Sequence, residues 1–446
     1  MTAREIAFRV LLNFEDKKPR LDDLLKESYS KYNISMNERK LLKNITSGVI
    51  RNLLYLDWIA SQIYHGRYKK LLKKIKVILR MALYEIIFVD HIPTHATINE
   101  YVNLAKKMAG AGSGGQVNGM LRTYVRESEN LKPENSINVR AELIAVKYSF
   151  PEWLVKRWIN VWGETETESI CRALNTIPEF DIRVNAGKIS VSDFKDLLAE
   201  NKITFQVSKH FEDMLTIKDI QAIRNNDWFD EGLCSIQDES AHIPVELLDL
   251  RAGDRVLDIC AAPGGKYTQI LKYHPDQILA VAVDQDFERL KKVRDNVQRL
   301  GFKNRHFIVA DGRALPFKPV FNKILLDAPC SGLGVINKHP DIKWRRDIGQ
   351  IIEFAKLQDS ILSQAGNLLA NDGNLVYSTC TVDPMENEMV IHDFMERNAD
   401  QFELSEPPLK FGEWVSDSLI RTFPHRDHKD GSFCALLHKK ASFLDE

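Results

Sequence analysis

From residue 235 onward, short apolar runs alternate with longer stretches whose apolar positions recur every three or four residues. This pattern predicts strands at 255–260, 278–283, 306–309, 322–327 and 374–378, helices at 265–273, 286–300, 348–370 and 385–397, and a closing strand at 432–438. Such alternation builds a doubly wound parallel sheet. Residues 1–130 read differently. Ile6, Val10, Leu11 and Phe14 recur at helical spacing, as do Leu41, Ile45, Val49 and Leu53, so this part is expected to be all helix. The stretch 69–80 alternates apolar and basic positions and fits one amphipathic helix with a basic outer face. Pro93 marks a break, with Thr94 or Thr97 opening the next helix, and the glycine-rich run 109–115 reads as a flexible turn. Residues 131–138 read as a linker. Beyond it, a helix carries Trp153, Trp158 and Trp162 as core residues. A strand at 180–185 and a helix at 194–201, with Ser192 as a candidate N-cap, complete a small α+β pattern. Three domains follow: 1–130, 140–235 and 236–446.

Composition changes this picture little. Of 446 residues, 44% are apolar and 28% charged, ordinary values for a globular protein. No apolar stretch is long enough to span a bilayer, and the first ten residues lack the apolar core of a signal peptide. No pair among the six cysteines has C-x-x-C spacing, so no metal is expected. The expectation is a cytoplasmic protein with reduced thiols, no membrane association and an assumed monomeric state. The net charge of -1 hides a division. Residues 1–130 hold 22 Lys and Arg against 13 Asp and Glu, while the remainder holds 39 against 49. A basic N-terminal part facing a polyanion and a merely solvated basic surface are both consistent with that asymmetry.

The candidate chemistry lies where the strands end, because ligands of doubly wound sheets sit at the carboxyl ends of strands. The first predicted strand runs into Cys260-Ala261-Ala262-Pro263-Gly264-Gly265-Lys266. A glycine turn opening a helix offers free N–H groups and close backbone approach to a nucleotide-like ligand. The second ends at Asp284, placed for ribose hydroxyls. The third is followed by Asp311, a candidate acceptor for an adenine amino group. The fourth ends Asp327-Ala328-Pro329-Cys330, and the fifth Ser378-Thr379-Cys380. Singly, each has a plainer reading: Asp284 and Asp311 as helix caps, Asp258 as a support for the turn, the cysteines as small buried groups. Their coincidence on one sheet edge favours chemistry. A partly exposed thiol at such a turn is expected to ionise readily. A thiolate beside an adenosine cofactor suits methylation of a pyrimidine at C5. Addition of sulfur to C6 makes C5 nucleophilic toward an electrophilic methyl group, and a base then removes the C5 proton. Asp327 is a candidate to hydrogen-bond N3 of the base, and a second cysteine to assist proton removal or release.

The stretch 256–266, with Asp284, Asp311, the segment 327–332 and the segment 378–381, resembles the RNA (cytosine-C5) methyltransferases. Val335-Ile336, the run His339-Pro340-Asp341-Ile342-Lys343-Trp344 and the helical N-terminal part resemble the RsmB type of that family, whose N-terminal module is NusB-like. The resemblance implies an all-α NusB-like RNA-binding domain, a small α+β middle domain and a Rossmann-like methyltransferase domain. It implies S-adenosylmethionine as methyl donor and 16S ribosomal RNA as partner, at cytosine 967. It also implies Cys380 as nucleophile, Cys330 as the residue assisting release, and a cofactor site of Cys260, Ala261, Ala262, Pro263, Gly264, Gly265, Lys266, Asp284, Asp311 and Asp327. The competing readings are the same chemistry on tRNA or another RNA, and a non-catalytic RNA-binding assembly or antitermination factor.

Overall fold

The computed structural model describes residues 1–441 except 91, 219, 274–276 and 304–305. Its contacts divide the chain into two compact units: residues 1–176 with 336–346, and residues 177–335 with 347–446. This boundary falls inside the stretch 140–235 expected as one domain. The helices of residues 140–174 pack with the N-terminal helices, whereas the strands that follow belong to the second unit.

The first unit is helical: α1 (Ala3–Lys17), α2 (Leu21–Lys31), α3 (Met36–Arg51), α4 (Leu53–Gln62), α5 (Lys73–Phe88), α6 (Thr94–Ala109), α7 (Ser113–Glu127), α8 (Arg140–Lys147) and α9 (Glu152–Leu174). Most of the periodic residues form its core: Ile6, Val10, Leu11, Phe14, Ile45 and Val49 are buried, whereas Leu41 and Leu53 are half-buried. Ser35 opens α3 with a capping box to Glu38, satisfying two N–H groups that the helix start leaves free. Three local expectations need correction. The stretch 69–80 is not one helix, because a short 3₁₀ turn (Tyr68–Lys70) precedes α5 and Leu71-Leu72 separates them. Nor is Arg80 on a basic face; it is buried, 2.6 Å from both Glu15 and Asp57. The glycine run is a short turn, since Gly114 and Gly115 already lie within α7. Trp158 is fully buried against Phe150 and Trp162, as a core reading requires.

Residues 336–346, with the short helix later numbered α15 (Ile342–Arg345), fold into this helical unit. Lys343 is wholly buried, and its ammonium donates to the Arg51 carbonyl at 2.7 Å and to Asn175 Oδ1 at 2.9 Å. The Arg51 guanidinium donates to the carbonyls of Thr176 and Asn337, and the Trp344 indole to that of Ile50. The Ile50 and Arg51 carbonyls end α3, where helix carbonyls lack intrahelical partners and the macrodipole is negative, and the Asn175 side chain and Thr176 carbonyl follow α9. These acceptors compensate the two cations only in part, since burial and then the Arg51 charge lower the Lys343 pKa well below its ordinary value. Burial still lowers the Arg51 pKa to about 10.

The second unit holds two sheets. The smaller comprises β1 (Phe180–Val184), β2 (Phe205–Val207), β3 (Met214–Ile217) and β4 (Cys234–Ile236), in the antiparallel order β2-β3-β1-β4, with α10 (Val191–Glu200) and α11 (Ile220–Asn225). Ser190, not Ser192, caps α10 by accepting from the Asp193 N–H. The larger sheet follows α12 (Ile243–Glu246) and contains β5 (Arg255–Ile259), β6 (Leu279–Asp284), β7 (Phe307–Val309), β8 (Phe321–Asp327), β9 (Leu369–Thr379), β10 (Phe402–Leu404), β11 (Val415–Ser416), β12 (Leu419–Thr422) and β13 (Ser432–Lys439). Connecting helices are α13 (Gly265–Lys272), α14 (Phe287–Leu300), α16 (Ile348–Leu368), α17 (Glu388–Asn398) and α18 (Pro424–Asp427). The order is β11-β12-β13-β9-β8-β5-β6-β7, with β10 on β13. Strands β9, β8, β5, β6 and β7 are parallel, as expected, but β13 runs antiparallel to β9 and carries further antiparallel neighbours, so the sheet is mixed. The strand order reverses between β5 and β8, so a ligand is expected at their carboxyl ends.

Candidate active site

The reversal point is built by the turn after β5. Cys260 adopts φ +65° and Gly264 φ +102°. A side chain at Gly264 would meet the Val293 backbone at 3.0 Å, so this turn needs glycine to lie against α14. The Ala261 N–H bonds to the Val283 carbonyl, Ala262 N–H reaches Asp284 Oδ2 at 3.3 Å, and Asn296 and Arg289 hold the carbonyls of Pro263 and Ala262. Among the described residues no side chain caps α13, which leaves its first N–H groups free of a side-chain partner, and a Cβ at Gly265 would face open space. Arg183 of β1, which sequence reasoning missed, donates to the Gly265 carbonyl (3.1 Å) and Thr268 Oγ1 (2.9 Å) and fixes this first turn from behind.

Each acidic residue expected here lies at the same edge. Asp284 is buried and accepts from the N–H groups of Ala262 and Asp286, which still leaves lone pairs for a ligand. Asp311 is forked by the Arg313 guanidinium, which lowers its pKa to about 2 and keeps it ionised. Asp327 accepts from Lys266 Nζ at 2.8 Å and Ser378 Oγ at 2.9 Å. Burial opposes the charge on Lys266, but Asp327 outweighs it and holds the ammonium above its ordinary range. Cys260 is half-buried, and burial raises its pKa to about 12.

Asp258 lies beneath these groups, fully buried, and neither carboxylate oxygen has a hydrogen-bond partner among the described residues. Burial, then the charges of Asp327 and Asp284, push its pKa well up against the pull of Lys266. A group raised in the folded state contributes fully below its unfolded value of about 4 and loses that contribution as pH climbs through the folded value. Asp258→Asn is therefore expected to stabilise the protein at pH 8 by on the order of 1–3 kcal/mol and to flatten the loss of stability between pH 4 and 8. Urea unfolding at several pH values checks this; a variant less stable than wild type at pH 8 would refute it.

The two thiols meet. Cys330 Sγ and Cys380 Sγ are 3.0 Å apart, Cys380 exposed and Cys330 half-buried. The expectation that both ionise readily fails for Cys330. Contact with Cys380, then burial, then the charges of Cys380 and Glu386 push its pKa well up. Neither cysteine opens a helix directly, so no helix start offsets this. A network unseen in the sequence holds both turns. Glu386 Oε2 accepts from the Ser331 N–H (2.8 Å) and Gln358 Nε2 (3.0 Å), and Gln358 also donates to the Pro329 carbonyl. Asn387 accepts from Thr379 Oγ1 and donates to the Thr381 carbonyl. Ser331 Oγ and Thr381 Oγ1 are 2.9 Å apart. Gly334 N–H reaches the Cys380 carbonyl. Nothing in residue type alone marks Glu386, Asn387 and Gln358, because their role lies in partners distant along the chain.

Three family models match: 16S rRNA methyltransferase RsmB/F over residues 245–438, the NusB family over 1–126, and the RsmF/B-like ferredoxin-like domain over 150–224. The probable ribosomal RNA small subunit methyltransferase B of Synechocystis sp. is 32% identical over 98% of this chain and all of its own. The chain belongs to the ribosomal RNA small subunit methyltransferase B family. That enzyme from Escherichia coli O127:H6 is 35% identical, covering 91% of this chain and 92% of its own. Among solved structures, PH0851 matches with TM-score 0.79 and 26% identity, covering 98% of this chain and 99% of its own. A methyltransferase homologue from Pyrococcus horikoshii matches with TM-score 0.59 and 29% identity over 68% of this chain and all of its own. The protein is thus an RNA methyltransferase with a NusB-type helical part, a ferredoxin-like sheet and a mixed-sheet catalytic fold.

Proposed function

We propose that this member of the family methylates C5 of cytosine 967 in 16S rRNA through a covalent bond between Cys380 and C6 of the base. The observation carrying this reading is the exposed Cys380 thiol 3.0 Å from Cys330, beside the Lys266–Asp327 pair at the reversal point of the sheet. The bare N-terminus of α13, the open space before Gly265 and the carboxylates of Asp284 and Asp311 fit S-adenosylmethionine. That cofactor, when bound, supplies an electrophilic methyl group. The chain does the rest. Cys380 thiolate adds to C6, and the displaced electron pair makes C5 nucleophilic. With N3 of the base protonated, its N–H donates to the Asp327 carboxylate, so the electron pair displaced by sulfur addition is neutralised there, and the adjoining Lys266 ammonium holds Asp327 in place. Once C5 carries the methyl group, a base takes its proton, the C5–C6 double bond re-forms and the Cys380 sulfur departs, with Cys330 assisting release. The cytosine must leave its stack for the thiol to reach C6, so a flipped or single-stranded base is required.

The test is transfer of labelled methyl from S-adenosylmethionine to unmodified 16S rRNA and to tRNA, with the modified position mapped. Transfer to cytosine 967 is expected. Transfer confined to tRNA would move the substrate, and binding without transfer to any RNA would leave a scaffold.

Exposed Lys69, Lys70 and Lys74 of the basic helical unit suit phosphate contacts. Replacing all three with alanine is expected to weaken RNA binding uniformly and to reduce the slope of log K against log salt by about 2, given roughly 0.7 per phosphate on a single strand. Binding measured from 50 to 300 mM KCl checks this; an unchanged slope would place the phosphate contacts elsewhere.

A further inference from the structure

The turn after Cys380 ends in two adjacent residues with separate holds. Asn387 grips the Cys380 turn through Thr379 and Thr381. Glu386 grips the Cys330 turn, directly at the Ser331 N–H and through Gln358 at the Pro329 carbonyl. A neutral side chain could make the second hold equally well, since it needs only an acceptor. A buried carboxylate there is costly unless its charge has a use. Its second oxygen, Oε1, has no hydrogen-bond partner among the described residues. Desolvation raises its pKa above the ordinary carboxylate value, and the bonds from Ser331 and Gln358 offset only part of that rise.

We propose that the buried Glu386 carboxylate, anchored to the peptide directly after Cys330, is a positioning residue that keeps Cys330 as the proton-bearing member of the thiol pair, so that Cys380 alone serves as the thiolate. The proposal rests on the two-thiol reading above. Two thiols in contact do not both ionise, since like charges at 3.0 Å repel strongly. Something must decide which one does, and the surroundings are unequal. Cys330 feels the charge of Glu386 and interacts with Tyr377, whose hydroxyl donates to the Glu386 carbonyl. Asp383 stands on the same turn as Glu386, and Asp359 of α16 acts on Tyr377. All of these are negative or neutral toward Cys330. Cys380 instead feels the Lys266 ammonium of α13. The proton inventory is then simple. Cys380 gives its proton to solvent before attack, and Cys330 keeps its own. When the Cys380–C6 bond breaks, the electron pair returns to Cys380 and meets the Cys330 S–H as a hydrogen-bond donor.

The test follows alkylation of each thiol by iodoacetamide against pH in the full chain, read by peptide mass spectrometry. In a Cys380→Ser background, adding Glu386→Gln is expected to lower the midpoint of Cys330 alkylation by at least one pH unit, a tenfold faster reaction at a given pH below it. The amide keeps an acceptor for Ser331, so a purely structural role predicts no shift. An unchanged midpoint in a folded variant overturns the proposal. Should Glu386→Gln not fold, the Cys380→Ser parent decides: its Cys330 must alkylate with a midpoint above the ordinary thiol value, and an ordinary midpoint overturns the proposal. Neither measurement needs RNA, so this proposal and the 16S rRNA reading fail independently.

Discussion

Replacing Cys380 with alanine is expected to abolish methyl transfer, by on the order of 10³-fold or more, and to leave no protein–RNA adduct on a denaturing gel. Cys330→Ala is expected to attack the base normally and then to stall, so that a covalent adduct accumulates while turnover falls. The two outcomes differ in kind because the thiols differ in exposure and surroundings. Cys380 is the one that a base entering from solvent meets first. If Cys330→Ala is inert without adduct while Cys380→Ala traps RNA, the roles are exchanged. If both variants transfer at wild-type rate, covalent catalysis through this pair is wrong.

Gly334→Ala is expected to be nearly as damaging, although Gly334 bears no functional group. A Cβ there would lie 1.8 Å from the Gly431 carbonyl oxygen and within 2.8 Å of two further Gly431 backbone atoms. Backbone cannot swing aside as a side chain does, so the strand entry at Gly431 must retreat. That breaks the Gly431 N–H bond to the Gly334 carbonyl and pulls on the Gly334 N–H bond to the Cys380 carbonyl. A loss of about 3 kcal/mol is expected, with a fall in kcat of at least tenfold as the Cys380 turn shifts. Urea unfolding and single-turnover transfer measure the two effects. Gly265→Ala, whose Cβ would meet nothing within 4 Å, is the stability control. Wild-type stability in Gly334→Ala would mean that the two backbones separate freely.

The sequence pattern anticipated what local rules govern. The apolar runs ending at Ile259, Asp284 and Asp327 became adjacent strands, and the acids and thiols after them came to one edge because parallel strands point the same way. It erred where tertiary partners decide. Arg80 reads as one more base on a helix face, but Glu15 and Asp57 draw it inward. Ser192 and Ser190 are equally good caps by composition, and only the turn geometry selects Ser190. Antiparallel β13 beside β9 has the alternation of any half-buried strand, and alternation carries no direction. Glu386 and Asn387 look like ordinary turn residues until the Cys330 turn, more than fifty positions earlier, arrives beside them.

The return of residues 336–346 to the helical unit has a consequence for how the protein is made. Lys343 and Trp344 complete the ends of α3 and α9, yet they leave the ribosome long after those helices do. During synthesis the C-terminal carbonyls of α3 and the Asn175 side chain after α9 stay without these partners while roughly 160 residues of the second unit emerge. A nascent chain stalled before residue 336 should show a bundle more open to protease than one stalled after 346, so the final sealing of the N-terminal helices is tied to translation of the catalytic sequence.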